Sequence, residues 1–213
     1  MITVLIKNDS TYLSIGMRGI LRNIFRKLPR EKVSFITEYT SANIIIADIV
    51  ILNLCRGEML TCFPELKYRR QGILIGLIEE EPSQINRLPH CLNDIILLER
   101  RDSVSEVTEK IFTAWQKTRD EKRIAYPCFN CQFKNITMKE YQVIEGICSG
   151  INITAIAHSL GINDTTVLAY KYKVMKKFCL RNDFELLRFF KITSNKAKSL
   201  QQITHTKPRY FNY

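Results

Sequence analysis

The chain has 213 residues, of which 46% are hydrophobic, and its formal net charge is +11. This length corresponds to one or two domains, and the composition supports a buried core. The first ten residues do not read as a signal peptide, and the most apolar run, 44–54, is too short to cross a bilayer and contains Asp48. Seven cysteines without a regular framework indicate reduced thiols. We therefore expect a cytoplasmic protein and exclude the secreted and membrane classes.

The first half of the chain alternates short apolar stretches with amphipathic ones. The predicted strands are 2–6, 33–37, 47–54, 72–78 and 94–98. The predicted helices are 13–28 and 104–115, with a weaker helical pattern near 60–68. Strands and helices in this alternation are typical of a parallel sheet with helices on both faces. The sequence therefore predicts a small doubly wound α/β domain with a five-stranded parallel sheet over residues 1–118.

The positive charge is concentrated in the C-terminal part. Residues 1–118 hold 16 basic and 14 acidic side chains, whereas residues 119–213 hold 16 basic and 7 acidic ones. This asymmetry indicates either a polyanion partner for the C-terminal part or a solvated basic surface with no partner. The two halves are separated by residues 119–135, which lose the apolar periodicity and are predicted to be a linker.

Residues 136–192 carry sharp helix signals. Thr137 and Glu140 form a capping-box pattern at the start of the first helix, and Gly150 is placed where that helix ends. Gly161 suits a tight left-handed turn, and Asn163 can cap the helix that follows it. The remaining helices are predicted at 152–160, 164–179 and 184–192. A short helix, a tight glycine turn and a longer basic helix predict a helix-turn-helix, followed by a flexible basic tail over 193–213.

The helix at 164–179 carries the chemistry of this domain. Its inward face is predicted to contain Val167, Val174 and Phe178. Its outward face is predicted to contain Leu168, Lys171, Tyr172, Lys173, Lys176 and Lys177, and the helix has no acid after Asp164. A helix fits the major groove of DNA and reads base edges from its N-terminal half. DNA binding is favoured over the alternative, a basic amphipathic helix that only maintains solubility.

Individual side chains at the start of this helix fit particular DNA groups. The hydroxyls of Thr165 and Thr166 can donate to a phosphate close to the helix N-terminus. Leu168 is unusual on a solvent face and suits contact with a thymine methyl group. These residues are candidate DNA contacts.

Residues 136–187 resemble the LuxR/FixJ-type DNA-binding domain without a gap. The positions that carry the resemblance are Glu140, Val143, Gly150, Ile156, Ala157, Leu160, Gly161, Ile162, Thr166, Val167 and Lys177. The resemblance implies an all-α four-helix domain whose third helix reads the major groove and whose fourth helix often dimerises. The base-facing positions that it implies are Leu168, Ala169, Lys171 and Tyr172. The backbone-contact positions that it implies are Thr165, Thr166, Tyr170 and Lys173, with Lys176 beside them.

The first half is similar to a receiver domain of the response-regulator type, a flavodoxin-like fold. Such a domain holds Mg²⁺ with clustered carboxylates and accepts a phosphoryl group on an aspartate. At the corresponding positions this sequence has Asn8-Asp9 for the acidic pair, Asn53 for the phosphoacceptor, Glu79 for a hydroxyl and Glu99 for a lysine. One retained acid does not support the switch, so we expect a degenerate pocket without phosphotransfer.

The combination of the two halves resembles the auxiliary regulators related to the Rcs capsule regulators of enteric bacteria. That resemblance implies a receiver-like fold without its chemistry and heterodimers with a conventional partner. The favoured function is therefore a sequence-specific, phosphorylation-independent transcription regulator that binds double-stranded DNA as a homodimer or heterodimer. RNA polymerase is a further partner compatible with it. The alternative is an interaction protein that modulates a partner regulator without reading bases itself.

Other residues give weaker signals for metal binding or catalysis. Cys128 and Cys131 form half of a zinc site, which Cys148 or His158 would have to complete. The three histidines are scattered, and no nucleophile–base pair is visible. We expect no metal, no cofactor and no enzymatic activity.

Overall fold

The computed structural model describes residues 1–7, 10–26, 32–70, 72–80, 88–120, 136–204 and 211–212. The chain divides into two compact units, of which the first contains 1–54 and 62–132, and the second contains 55–61 and 133–213. The predicted linker, 119–135, lies outside the described residues from position 121 onward. None of the helices in the described ranges combines the length and apolar composition needed to span a lipid bilayer.

The first unit is built on a five-stranded parallel sheet, as predicted. Its strands are β1 (Ile2–Lys7), β2 (Val33–Ile36), β3 (Ile49–Asn53), β4 (Ile73–Ile78) and β5 (Ile95–Glu99). Their order in the sheet is β2-β1-β3-β4-β5, which is the flavodoxin-like order with its reversal beside β1. The central strands are nearly continuous apolar runs because a parallel sheet is buried on both faces.

Three helices and two short 3₁₀ turns cover this sheet. The helices are α1 (Thr11–Arg26), α2 (Ser41–Ile46) and α3 (Val104–Asp120), and the 3₁₀ turns are Pro64–Tyr68 and His90–Leu92. Helix α2 has no counterpart among the predicted elements because its short apolar run does not show a helical period. Its start is fixed locally, since the Asn43 amide donates to Thr40 Oγ1 at 3.2 Å. The weak helical pattern near 60–68 corresponds in part to the first 3₁₀ turn.

Helices α1 and α3 share one core with the sheet. Leu21 and Phe25 of α1 and Ile111 of α3 are fully buried against the strands. The ring of Phe25 meets that of Trp115 edge to face, with centroids 5.1 Å apart. Trp115, the only tryptophan of the chain, therefore reports on the packing of this unit.

The second unit is dominated by four helices, as predicted. They are α4 (Met138–Cys148), α5 (Ile153–Leu160), α6 (Asp164–Lys177) and α7 (Asp183–Thr204), and a short β6 (Ile136–Thr137) pairs in parallel with β7 (Phe211–Asn212). Helix α7 continues to Thr204, beyond the predicted end at Ile192, while the flexibility of the basic tail stays a prediction. The reason is visible in the sequence, because residues 193–204 contain no glycine or proline to stop a helix.

Three helices of this unit end in the same left-handed turn. Gly150 and Gly161 adopt φ values of +77° and +62°, which confirms their predicted role as helix stops. After each glycine the next amide bonds back into the helix, from Ile151 to Gly146 O and from Ile162 to Ala157 O, both at 3.0 Å. Helix α6 ends in the same way at Cys179, whose φ is +56° although it is not a glycine.

A short segment from the N-terminal half of the sequence, 55–61, belongs to the second unit. A Cβ added to Gly57, whose φ is +89°, would lie 3.0 Å from Phe189 Cδ2 and 3.1 Å from Leu180 Cδ2. Arg56 Nε lies 3.3 Å from Glu185 Oε1. The predicted continuous domain over 1–118 therefore differs from the structure at this segment, because sequence patterns do not reveal contacts between such distant positions.

Candidate nucleic-acid interface

The first helix of the four-helix unit is anchored by a buried carboxylate. The Thr137 amide donates to Glu140 Oε2 at 2.9 Å, and the Glu140 amide donates to Thr137 Oγ1 at 3.3 Å, which confirms the predicted capping box. The Glu140 side chain is fully buried and also accepts a hydrogen bond from Lys177 Nζ at 2.6 Å. Lys173 Nζ lies 3.3 Å from its other oxygen. Glu140 therefore joins α4 to α6.

Two opposing effects set the pKa of Glu140. Burial raises the pKa of this carboxyl, whereas hydrogen bonds from Lys177 and from the Thr137 amide lower it. The second group of effects is larger, so the pKa lies below its ordinary value. The carboxylate is consequently charged at neutral pH. It holds Lys177 on the core side of α6 and also pairs with Lys173, whose side chain is 62% exposed.

Helices α5 and α6 form a helix-turn-helix. The Ala155 amide donates to Asn152 Oδ1 at 2.7 Å, which caps the start of α5. Asn163 is the residue before α6, but its side chain makes no capping hydrogen bond, contrary to the prediction. Instead, Thr154 Oγ1 of α5 donates to Asp164 Oδ2 at 2.8 Å, and this bond fixes the start of α6.

Helix α6 has a buried side and an exposed side. Val167, Val174 and the C-capping Phe178 are fully buried, as predicted. We define the outward face of α6 as the exposed residues Thr165, Ala169, Tyr172, Lys173 and Lys176. Tyr172 is 59% exposed, and the Lys173 side chain is 62% exposed. Thr166, Leu168 and Tyr170 are half-buried and border this face.

Lys171 does not have the outward orientation that we expected. Its Nζ lies 2.7 Å from Asp183 Oδ2 at the start of α7, and its side chain is only 13% exposed. The cause is the helical period, because Lys171 lies four residues after Val167 and three before Val174, on the core side of α6. Lys177 is likewise turned inward, toward Glu140. The spacing of the buried valines was the sequence signal from which the inward orientation of both lysines could have been predicted. This spacing is a better guide to their orientation than their charge.

Comparison with known proteins gives a family match for part of the second unit. Residues 134–190 match a family model described as bacterial regulatory proteins, luxR family. The C-terminal domain is a LuxR-type helix-turn-helix domain. The match covers the LuxR-type domain and not the first unit, and no curated protein sequence matches the chain.

Several solved structures are similar to the chain over most of its length. One is the low-resolution structure of the response regulator StyR, with 17% identity, coverage of 87% of this chain and 96% of that one, and a TM-score of 0.38. Another holds two RcsB dimers bound to two parallel DNAs, with 19% identity, coverage of 89% and 98%, and a TM-score of 0.47. A third is the RcsB response regulator of Salmonella typhimurium, with 21% identity, coverage of 90% and 100%, and a TM-score of 0.44.

The degenerate pocket predicted in the first unit is described in part. Asn53 ends β3, and its Oδ1 is buried without a hydrogen-bond partner among the described residues. Glu79 follows β4 and is exposed, 3.8 Å from Arg100. Glu99 ends β5 and pairs with Arg101 Nε at 2.5 Å. Asn8 and Asp9 lie outside the described residues.

Within the described ranges, no group of three histidine, cysteine or acidic side chains is arranged to hold a metal ion. Cys128 and Cys131, the half-site noted in the sequence, lie outside these ranges. The absence of a bound metal ion stays a prediction.

Proposed function

We propose that the chain is a cytoplasmic transcription regulator that binds double-stranded DNA through the outward face of α6. This proposal rests on one observation: the outward face is exposed, contains two lysines and no acid, and belongs to the second helix of a LuxR-type helix-turn-helix. In this motif the second helix enters the major groove, with its N-terminal residues at the base edges.

The positions along the face suggest separate roles for its residues. The hydroxyls of Thr165 and Thr166 are at the N-terminal end, where a phosphate is attracted by the helix dipole. Ala169 and Tyr172 follow on the same face and would meet base edges, with Leu168 beside them for a thymine methyl group. Lys176 would contact a phosphate, as would Tyr170 at the border. Lys173 also pairs with Glu140, but its side chain is 62% exposed and would reach a phosphate as well. Lys171 is left out of the base-reading set, since Asp183 holds it on the core side.

The first unit, in this proposal, acts without phosphotransfer. An Asn53 amide cannot accept a phosphoryl group in the way that an aspartate carboxylate does. Glu99 brings a negative charge to the position where a receiver needs a lysine, and its ion pair with Arg101 keeps that charge in place. Contact with a partner, rather than phosphate sensing, is therefore the proposed role of this unit.

A dimeric state is part of the proposal. Phe184 and Leu187 of α7 are 71% and 45% exposed and lie three residues apart, on one side of the helix. A second LuxR-type domain would cover them, either in a homodimer or in a heterodimer with a related regulator. Contact with RNA polymerase stays a prediction.

One observation favours a second candidate, an interaction protein that modulates a partner regulator without reading bases itself. Lys171, the lysine expected nearest to the bases, is engaged within the domain. If Ala169 and Tyr172 add no base preference, the chain would contribute only backbone contacts and a dimer surface.

Selection of binding sites from random DNA separates the two candidates. The full chain is used alone and then mixed with a conventional RcsB-type regulator. A defined site recovered by the chain alone supports a homodimeric regulator, and an asymmetric site found only in the mixture supports a heterodimeric one. A mixture that recovers only the partner's own site, with no change from Tyr172→Ala, supports the interaction protein.

Two lysine variants on the same helix test the assignment of the face. Lys176→Ala removes one phosphate contact, so we expect the slope of log affinity against log salt to fall by about 0.9 without a change in sequence preference. Lys171→Ala, the matched control, should leave that slope unchanged while lowering stability. The reverse result would contradict the proposed face.

A separate experiment tests the proposal that the first unit acts without phosphotransfer. Treatment with acetyl phosphate should add no phosphate to the chain.

A further inference from the structure

Two cysteines of the first unit lie close together although they are far apart in sequence. Cys62 precedes the 3₁₀ turn Pro64–Tyr68, and Cys91 lies inside the turn His90–Leu92. Their sulfur atoms are 4.0 Å apart, with the Cys91 thiol donating to Cys62 Sγ. Each residue is only 6% exposed. The fold therefore pairs two thiols in a largely buried place.

The contact differs from the ordinary surroundings of a buried cysteine, which packs as a small apolar side chain. The Phe63 amide donates to Cys91 Sγ at 3.4 Å, so the backbone next to Cys62 also holds the sulfur of Cys91. A disulfide has an S–S length of about 2.05 Å, so the two sulfurs must approach by about 2 Å. Each cysteine lies at or beside a short 3₁₀ turn rather than in a strand. The two sulfurs can therefore approach each other without a shift of the sheet.

We propose that Cys62 and Cys91 are a reversible oxidation site that forms an intramolecular disulfide with a two-electron oxidant of the peroxide class. In the first step the sulfur of one cysteine attacks a peroxide oxygen, the O–O bond breaks, and a sulfenic acid and water are formed. In the second step the other thiol attacks the sulfenic sulfur, the S–O bond breaks, and the disulfide and a second water are formed. Two thiols and one hydrogen peroxide are thus converted to the disulfide and two waters, and a dithiol reverses the reaction.

Another cysteine of the chain provides a matched control. Burial, with a smaller contribution from the nearby Asp183 charge, raises the pKa of the Cys148 thiol to about 11. Cys148 is the last residue of α4 in the second unit and takes no part in the Cys62–Cys91 contact. The Cys148→Ala variant should therefore leave the reaction of Cys62 and Cys91 unchanged.

The experiment treats the full reduced chain with hydrogen peroxide, blocks the remaining thiols and maps the peptides by mass spectrometry. We expect a Cys62–Cys91 linked peptide, lighter by two hydrogen atoms than the two reduced peptides and lost again on treatment with dithiothreitol. The link should persist in Cys148→Ala and disappear in Cys91→Ala. Trp115 fluorescence checks that each variant keeps the native first unit, and the oxidised wild type should unfold at a higher temperature than the reduced form.

Two results would overturn the proposal. One is that both thiols stay open to alkylation while the other cysteines are oxidised. The other is that either residue is driven to a sulfinic acid without any linked peptide. Because the readout is a covalent bond in the first unit, it does not depend on DNA binding by the LuxR-type domain.

Discussion

The ion pair between Glu140 and Lys177 gives a quantitative test of how α6 is held. Lys177→Ala leaves the fully buried Glu140 carboxylate with Lys173, whose side chain is 62% exposed and therefore screened by water. Removal of one partner from a buried pair usually costs about 3–5 kcal/mol, and the remaining Lys173 pair places the expected loss of stability near the lower end, at about 3 kcal/mol. Lys176→Ala, one position earlier and exposed, should cost less than about 0.5 kcal/mol.

A second variant separates the charge from the hydrogen bonds. Glu140→Gln keeps a side chain that can complete the capping box but removes the charge, so we expect a loss of about 1 kcal/mol. In that background Lys177→Ala should cost much less than in the wild type, because no buried charge is left without its partner. The coupling energy of the cycle should then be about 2 kcal/mol.

The pH dependence of this pair has a definite sign. The pKa of Glu140 is lowered in the folded chain from an ordinary value of 4.5, so its stabilisation is complete above about pH 4.5 and is lost as the pH falls through the folded value. The advantage of the wild type over Glu140→Gln should therefore shrink below pH 4.5. Urea unfolding followed by far-UV circular dichroism measures the change, while Trp115 fluorescence reports separately on the first unit. A Lys177→Ala variant as stable as Lys176→Ala, or a Glu140→Gln difference that does not change with pH, would refute the reasoning.

The left-handed positions of the second unit give three further predictions, each measured by urea unfolding of the full chain. In Gly161→Ala the added Cβ meets no atom within 4 Å, so the loss of stability should be only the left-handed backbone penalty, about 1 kcal/mol. Gly57→Ala adds contacts of 3.0–3.2 Å with three side chains to that penalty and should cost about 2–4 kcal/mol; equal losses for the two variants would contradict the close approach at Gly57. Cys179→Gly should stabilise the domain by up to about 1 kcal/mol, because it removes the same penalty at a φ of +56°, and a destabilised variant would show that the Cys179 side chain matters more.

Much of the fold is predictable from the sequence because its signals are local. The capping box at Thr137 and the turn glycines Gly150 and Gly161 act within one helical turn of their own positions. The alternation of apolar runs and amphipathic stretches is enough to predict the parallel sheet. The features that escaped prediction depend on partners far away in the chain, as with Gly57 and Phe189, or on a missing signal, as with the continuation of α7 past Ile192.

The candidate site shows the same division. The period of Val167 and Val174 is local information, and the residues predicted from it to face outward include Tyr172 and Lys176, which are exposed. The partner of Lys171, in contrast, is Asp183 on the following helix, and no pattern in the sequence links the two. A count of basic residues on α6 therefore overstates the charge that is available to DNA.

The arrangement of acids gives the LuxR-type domain two uses for its lysines. Glu140 and Asp183 attract the lysines on the core side of α6 and thereby fix that helix against α4 and α7. No acid lies on the outward face itself, where Lys176 is exposed and Lys173, although it also pairs with Glu140, has a side chain that is 62% exposed. The lysines on the core side consequently hold α6 in position through their ion pairs, and the exposed lysines make the outward face attractive to phosphate. The ion pairs with Glu140 and Asp183 therefore position the helix that carries the proposed interface, although they do not touch that interface.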